Sequence, residues 1–162
     1  MGRGSRRLTR GVLTIMPRSK ILIADHDAAD VRLIEAYLYD MDYHIAVAAD
    51  GRQTLEKVAE FQPDLILLDT VIPKINGFEV CKTLKSGPAT NRIMILMVTA
   101  LNELGDIERA VACGCDDFLS KPVNKIELVK RVENMLKLRQ VTDELERLRR
   151  YIDEMENDRR QR

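Results

Sequence analysis

Two rhythms of apolar and polar positions alternate along the chain. Short apolar runs of the kind that form buried strands occur at Lys20 to Ala24, Tyr43 to Ala48, Leu65 to Leu68, Ile93 to Val98 and, more briefly, Asp117 to Leu119. Between them, apolar residues recur three or four apart. Val31, Ile34, Leu38 and Met41 form one such stripe, and Leu55, Val58 and Phe61 a second. Gly77 to Leu84 and Glu103 to Cys113 read as a third and fourth helix, stopped by Ser86-Gly87-Pro88 and by Gly114. A last helix begins at Asn124, with Glu127 three residues on as in a capping box. Strand and helix thus alternate five times, which predicts an α/β fold with a parallel sheet covered by helices on both faces. Right-handed crossovers put the carboxyl ends of the strands on one edge.

That edge collects chemistry. Asp69 stands where the run Leu65-Ile66-Leu67-Leu68 stops, and Pro73 and Asn76-Gly77 after it mark an irregular loop and a turn. Asp25, Thr99 and Lys121 also fall at or just after strand ends. The topology therefore predicts that they converge with Asp69 in the crevice where open α/β sheets bind ligands. Carboxylates gathered at one point repel and need a cation, and oxygen ligands with one or two carboxylates suit magnesium. A carboxylate beside such an ion can attack a phosphoryl group whose charge the ion offsets. Thr99 can donate a hydroxyl to one phosphoryl oxygen, Lys121 can pair with another, and Ala100 leaves room. Singly, each has a plainer reading: Thr99 as a helix cap, Lys121 as a surface base. Together they predict an aspartyl-phosphate site.

Composition narrows the classes without naming one. The 162 residues hold 26 basic and 26 acidic side chains, so no bulk field draws specific nucleic acid binding. Three cysteines, Cys81, Cys113 and Cys115, have no framework spacing and suggest reduced thiols in a cytoplasmic protein. No apolar run nears the roughly 18 residues of a membrane span. Residues 1–19 are rich in glycine and arginine (Arg3, Arg6, Arg7, Arg10, Arg18) and read as a basic leader, disordered or an upstream extension.

The sequence closely resembles the receiver domain of bacterial two-component response regulators. The motifs that carry the resemblance are Ile21-Leu-Ile-Ala-Asp25, Asp64-Leu-Ile-Leu-Leu-Asp69-Thr-Val-Ile-Pro73-Lys-Ile-Asn-Gly77, Val98-Thr99-Ala100 and Asp116-Asp117-Phe118-Leu-Ser-Lys121-Pro122. They span residues 20 to about 137 in the family's order. The resemblance implies a flavodoxin-like (βα)5 doubly wound, five-stranded parallel sheet with an extended C-terminal helix. It implies that Asp69 accepts phosphate from a histidine kinase or phosphotransfer protein, and that the domain catalyses no more than its own phosphotransfer and dephosphorylation. Mg2+ would sit on Asp25, Asp69 and the backbone carbonyl of Val71. Thr99 and Lys121 would read the phosphoryl group, the Lys121-Pro122 bond would be cis, and Phe118 would be the aromatic that turns inward on switching. One departure stands out. Where the family has a second acid after the first strand, this chain has His26, within Asp25-His26-Asp27. Imidazole suits zinc, copper, iron or nickel better than magnesium. Three consequences stay open: Asp27 moves in as ligand, metal binding weakens, or protonated His26 pairs with Asp69. For Asp27 an N-cap role is preferred, and weakened magnesium binding is expected.

Residues 138–162 form a different segment. Leu138, Val141, Leu145, Leu148, Ile152 and Met155 are spaced three, four, three, four, three, an a/d heptad seam. Glu144 and Arg149 occupy g and following e positions that attract across a parallel dimer. Met135 and Leu136 fall off the seam, so a coiled coil is expected to start after them. Two other functions fit parts of the sequence. One is a dimerisation module that works without phosphorylation. The other is a phosphatase of the haloacid dehalogenase type, suggested by Asp25-His26-Asp27, which leaves the Asp69 loop unexplained.

Overall fold

Five parallel strands in the order β4-β3-β5-β6-β7 form the central sheet. The structure is a computed structural model that describes residues 6–9, 12–15, 17–100 and 104–161. Within the leader, β1 (Arg6–Thr9) pairs antiparallel with β2 (Val12–Ile15). Residues 1–5, 10, 11 and 16 of the leader, among them Arg3 and Arg10, lie outside the described residues. The sheet consists of β3 (Lys20–Ala24), β4 (His44–Ala48), β5 (Leu65–Leu68), β6 (Met94–Thr99) and β7 (Asp117–Ser120). The helices are α1 (Ala28–Leu38), α2 (Gly51–Phe61), α3 (Gly77–Ser86), α4 (Leu104–Ala112) and α5 (Lys125–Gln161). Met41, placed in the first helix by spacing, lies in a 3-10 turn, Tyr39–Met41. Glu103, the expected start of the fourth helix, lies outside the described residues.

Continuous apolar runs appear in the strands because both faces of the sheet are covered. Leu65, Ile66, Leu67 and Leu68 are each at most 1% exposed. Ile21, Ile23, Leu65, Leu67 and Leu96 meet α1 and α5 on one face, through Ile34, Leu38, Leu128 and Val132. Leu22, Ile66, Leu68, Ile95 and Met97 meet α2 and α3 on the other, through Val58, Val80 and Leu84. Each such side chain contributes about 1.5–3 kcal/mol when removed from water, so alternating polar residues in β5 would be strongly selected against by the fold.

Helix starts are set by side chains. Asp27, Asp50 and Asn76 each accept a hydrogen bond from a backbone N–H in the first turn of α1, α2 and α3. Asn124 Oδ1 does the same for Glu127 N, at 3.1 Å, where α5 begins. Helix α5 runs 37 residues without a break, about 55 Å at 1.5 Å per residue. Its first part buries Leu128, Val132, Met135 and Leu136 on the sheet. Beyond them Leu138, Val141, Leu145, Leu148, Ile152 and Met155 are all exposed. The off-seam residues thus belong to the domain core, and the heptad residues start where that core ends. Charges tie the next turns back to the domain: Arg139 to Asp64, and Arg92 to Asp143 and Glu146. Among the described residues no helix is long and apolar enough to cross a membrane.

Candidate functional site

The carboxyl ends of β3, β5, β6 and β7 bring Asp25, Asp69, Thr99 and Lys121 to one point. Asp25 follows β3 and Asp69 follows β5, and these two strands are neighbours in register, with Ala24 opposite Leu68. Asp69 N donates to Ala24 O at 2.9 Å, which extends the pairing through the acid itself. Asp25 and Asp69 are buried, 4% and 5% exposed. A buried charge must be paired and hydrogen-bonded, and both are. In each, one oxygen accepts from the backbone N–H two residues on: Asp25 Oδ1 from Asp27 N at 2.8 Å, Asp69 Oδ1 from Val71 N at 3.0 Å. The other oxygen of each accepts from the Lys121 ammonium, at 2.9 and 2.8 Å.

Lys121 has a third partner that sequence reasoning missed. Asp30 Oδ2, on the first turn of α1, accepts from its Nζ at 2.7 Å. Burial works to lower the Lys121 pKa, but the hydrogen bonds to Asp25, Asp30 and Asp69 outweigh it and hold the ammonium above its usual range. The signal for Asp30 was its place one turn into a helix that begins at the site, which fixes a reach toward Lys121 only once the strands are ordered.

His26 is half exposed, with Nδ1 3.8 Å from Asp25 Oδ1. One donor atom each from Asp25, His26 and Asp69 falls within 4.8 Å of the others. Asp27 caps α1, accepting from Ala29 N at 2.8 Å, and that hydrogen bond lowers its pKa. The Thr99 hydroxyl lies 2.5 Å from that of Thr70, a second residue not singled out from sequence. Val71 and Ala100 are exposed beside Asp69, and Phe118 is turned partly outward on β7. The Lys121-Pro122 peptide bond is cis. A cavity of about 400 Å³ opens over Asp69, Thr70, Thr99 and Lys121, walled on the far side by Asp106 and Arg109 of α4.

Gly77 lets the loop after Asp69 close. A Cβ there would stand 2.1 Å from Asp69 O and 2.7 Å from Thr70 Cα. Helix α3 therefore starts flush against the backbone of the acid, and Gly77 N donates to Thr70 O at 2.9 Å.

A five-stranded doubly wound sheet with a buried acid pair and a lysine at its switch edge is the build of a receiver domain. A family model described as "Response regulator receiver domain" matches residues 21–133, and the chain belongs to that family. It is 39% identical over 123 residues to the response regulator PleD of Caulobacter vibrioides, covering 76% of this chain and 27% of that protein. It is 37% identical over 120 residues to the DNA-binding response regulator MtrA of Mycobacterium tuberculosis, covering 74% and 51%. The chain thus spans between a quarter and about half of these relatives' length. Among solved structures, a putative response regulator from Chloroflexus aurantiacus superposes with TM-score 0.71 at 31% identity, covering 75% of this chain and 99% of that one. A CheY-like receiver domain protein from Methanospirillum hungatei, at 24% identity, shares the fold with TM-score 0.73. The Asp69 loop, unexplained by the phosphatase reading, lines the cavity over Thr99 and Lys121.

Proposed function

We propose that Asp69 accepts a phosphoryl group from a phosphohistidine of a histidine kinase or phosphotransfer protein, and that the modified domain signals through α5. The observation that carries this is Asp69 itself, a carboxylate at the floor of an open cavity with an ammonium 2.8 Å away and a hydroxyl-bearing strand end beside it. An Asp69 oxygen attacks phosphorus. The new O–P bond forms as the P–N bond breaks, and the imidazole leaves with that electron pair. Lys121 exchanges a carboxylate partner for a phosphoryl oxygen, and Thr99 donates to another. The domain does no other catalysis in this reading.

Two buried carboxylates with convergent oxygens fit a hard divalent ion. Asp25, Asp69 and the Val71 carbonyl would hold Mg2+, with His26 in the remaining slot. When bound, the ion offsets charge on the carboxylates and the phosphoryl oxygens. Nitrogen in that slot matches magnesium less well than oxygen, so we expect weakened affinity. A magnesium titration tests this: His26→Asp should tighten binding, and an unchanged affinity at the ordinary receiver level rejects the weakening.

Phosphorylation adds about −1.5 to −2 charge, and moving a two-state balance from 1:99 to 99:1 takes about 5.5 kcal/mol of state preference. The output we propose is a parallel homodimer through Leu138, Val141, Leu145, Leu148, Ile152 and Met155, whose exposure in the single chain runs from 46% to 58%. Mass spectrometry after phosphotransfer should locate the acyl phosphate on Asp69, and finding it on Asp25 rejects the assignment. A phosphorylation-independent dimerisation module is the second reading. It is favoured by Lys121, which already pairs with both buried acids without a phosphoryl group. Sedimentation with and without beryllofluoride separates the two, because the module's dimer affinity would not change.

A further inference from the structure

The hydroxyl that a phosphoryl group on Asp69 would recruit is already engaged. Thr99 Oγ1 and Thr70 Oγ1 lie 2.5 Å apart, and the two residues are 2% and 5% exposed. Among the described residues neither hydroxyl has another hydrogen-bond partner. The two come from different elements, the last residue of β6 and the residue after Asp69. Both are fixed by backbone bonds: Thr70 O accepts from Gly77 N at 2.9 Å, and Thr99 O accepts from Lys121 N at 3.0 Å. Both line the cavity over Asp69. A threonine hydroxyl has one proton to donate. While Thr99 is bonded to Thr70 in this buried place, turning toward Asp69 costs it that bond.

We propose that Thr70 is a positioning residue that latches the Thr99 hydroxyl in the resting state and is released when Asp69 is phosphorylated. This rests on Asp69 being the phosphoacceptor and adds a residue that sets the threshold of the switch. Removing the Thr70 hydroxyl leaves the buried Thr99 hydroxyl unpaired at rest, while its phosphoryl bond is untouched. The balance then moves toward the phosphorylated conformation by about 2- to 12-fold, the range for one neutral hydrogen bond.

The test is calorimetric titration of beryllofluoride into the full chain with saturating magnesium. Thr70→Val, which keeps the shape and removes the hydroxyl, should bind about 2- to 12-fold tighter than the wild type. Thr70→Ser, which keeps the hydroxyl, should match the wild type. In a Thr99→Ala background, Thr70→Val should have no effect. Unchanged or weaker binding by Thr70→Val, or an equal gain without Thr99, overturns the latch. Failure of the wild type to bind, with Asp69→Asn indistinguishable from it, overturns the phosphoacceptor reading instead. In that case a urea double-mutant cycle on Thr70 and Thr99 still reads the resting bond, and zero coupling there overturns the latch by itself.

Discussion

The same substitution at two glycines should have opposite signs. At Gly77 a methyl group would meet Asp69 O at 2.1 Å, Thr70 Cα at 2.7 Å and Asp69 C at 2.9 Å. All three are backbone atoms, so no side chain can rotate away. Either α3 or the Asp69 loop must move by roughly an ångström, and overpacking of this kind costs about 1–3 kcal/mol. At Gly105, near the start of α4, a methyl group would find nothing within 4 Å. There Gly→Ala gains about 0.4–1 kcal/mol by restricting the unfolded chain. The two variants should therefore differ by about 1.4–4 kcal/mol on opposite sides of the wild type. Urea denaturation followed by far-ultraviolet circular dichroism measures this, at one protein concentration because a dimer's midpoint depends on it. Gly77→Ala should also lose beryllofluoride binding, since the displaced backbone carries Asp69, the proposed phosphoacceptor. A Gly77→Ala protein as stable as the wild type refutes the close approach of α3. A destabilised Gly105→Ala refutes the account of α4.

Other substitutions separate core from seam and test individual groups. Leu136→Ala, in the core, should cost about 2–5 kcal/mol of domain stability, whereas Leu145→Ala should leave the domain's urea midpoint near the wild type and weaken self-association in sedimentation. Asp50 accepts from Gln53 N at 2.7 Å, and this bond lowers its pKa in the folded state. Its cap therefore contributes above the unfolded carboxylate pKa of about 4 and is lost as pH falls through the folded value. The urea midpoints of Asp50→Asn and wild type should converge on acidification, and a gap that widens would contradict the sign. Burial pushes the Cys115 thiol up to about 12. At a pH of about 8 its thiolate fraction is then on the order of one in ten thousand, against roughly a quarter for a free thiol. Cys115 should modify more slowly in the native protein than in urea, and equal rates would refute the effect of its partial burial.

Much of this molecule follows from local pattern. Runs such as Leu65–Leu68 and the stripe Val31, Ile34, Leu38 set the element types, because burial on two faces and on one face demand different periods. Five alternations force a parallel sheet, and chain handedness then sends Asp25, Asp69, Thr99 and Lys121 to one edge. The split of α5 was equally readable, since Met135 and Leu136 break the heptad phase that the later apolar residues keep. Other features needed the packed structure. Asp30 joins Lys121 because the first turn of α1 packs beside the end of β7, 91 residues away in sequence, and no spacing in the chain encodes that meeting. Thr70 and Thr99 meet because β5 and β6 are neighbours, a matter of strand order. Arg139 reaches Asp64, and Arg92 reaches Asp143 and Glu146, across distant stretches of sequence. Periodicity is a property of neighbours along the chain, so it fixes which face of an element is buried. Which two side chains finally touch depends on angles and registers between elements, and packing of the whole core sets those.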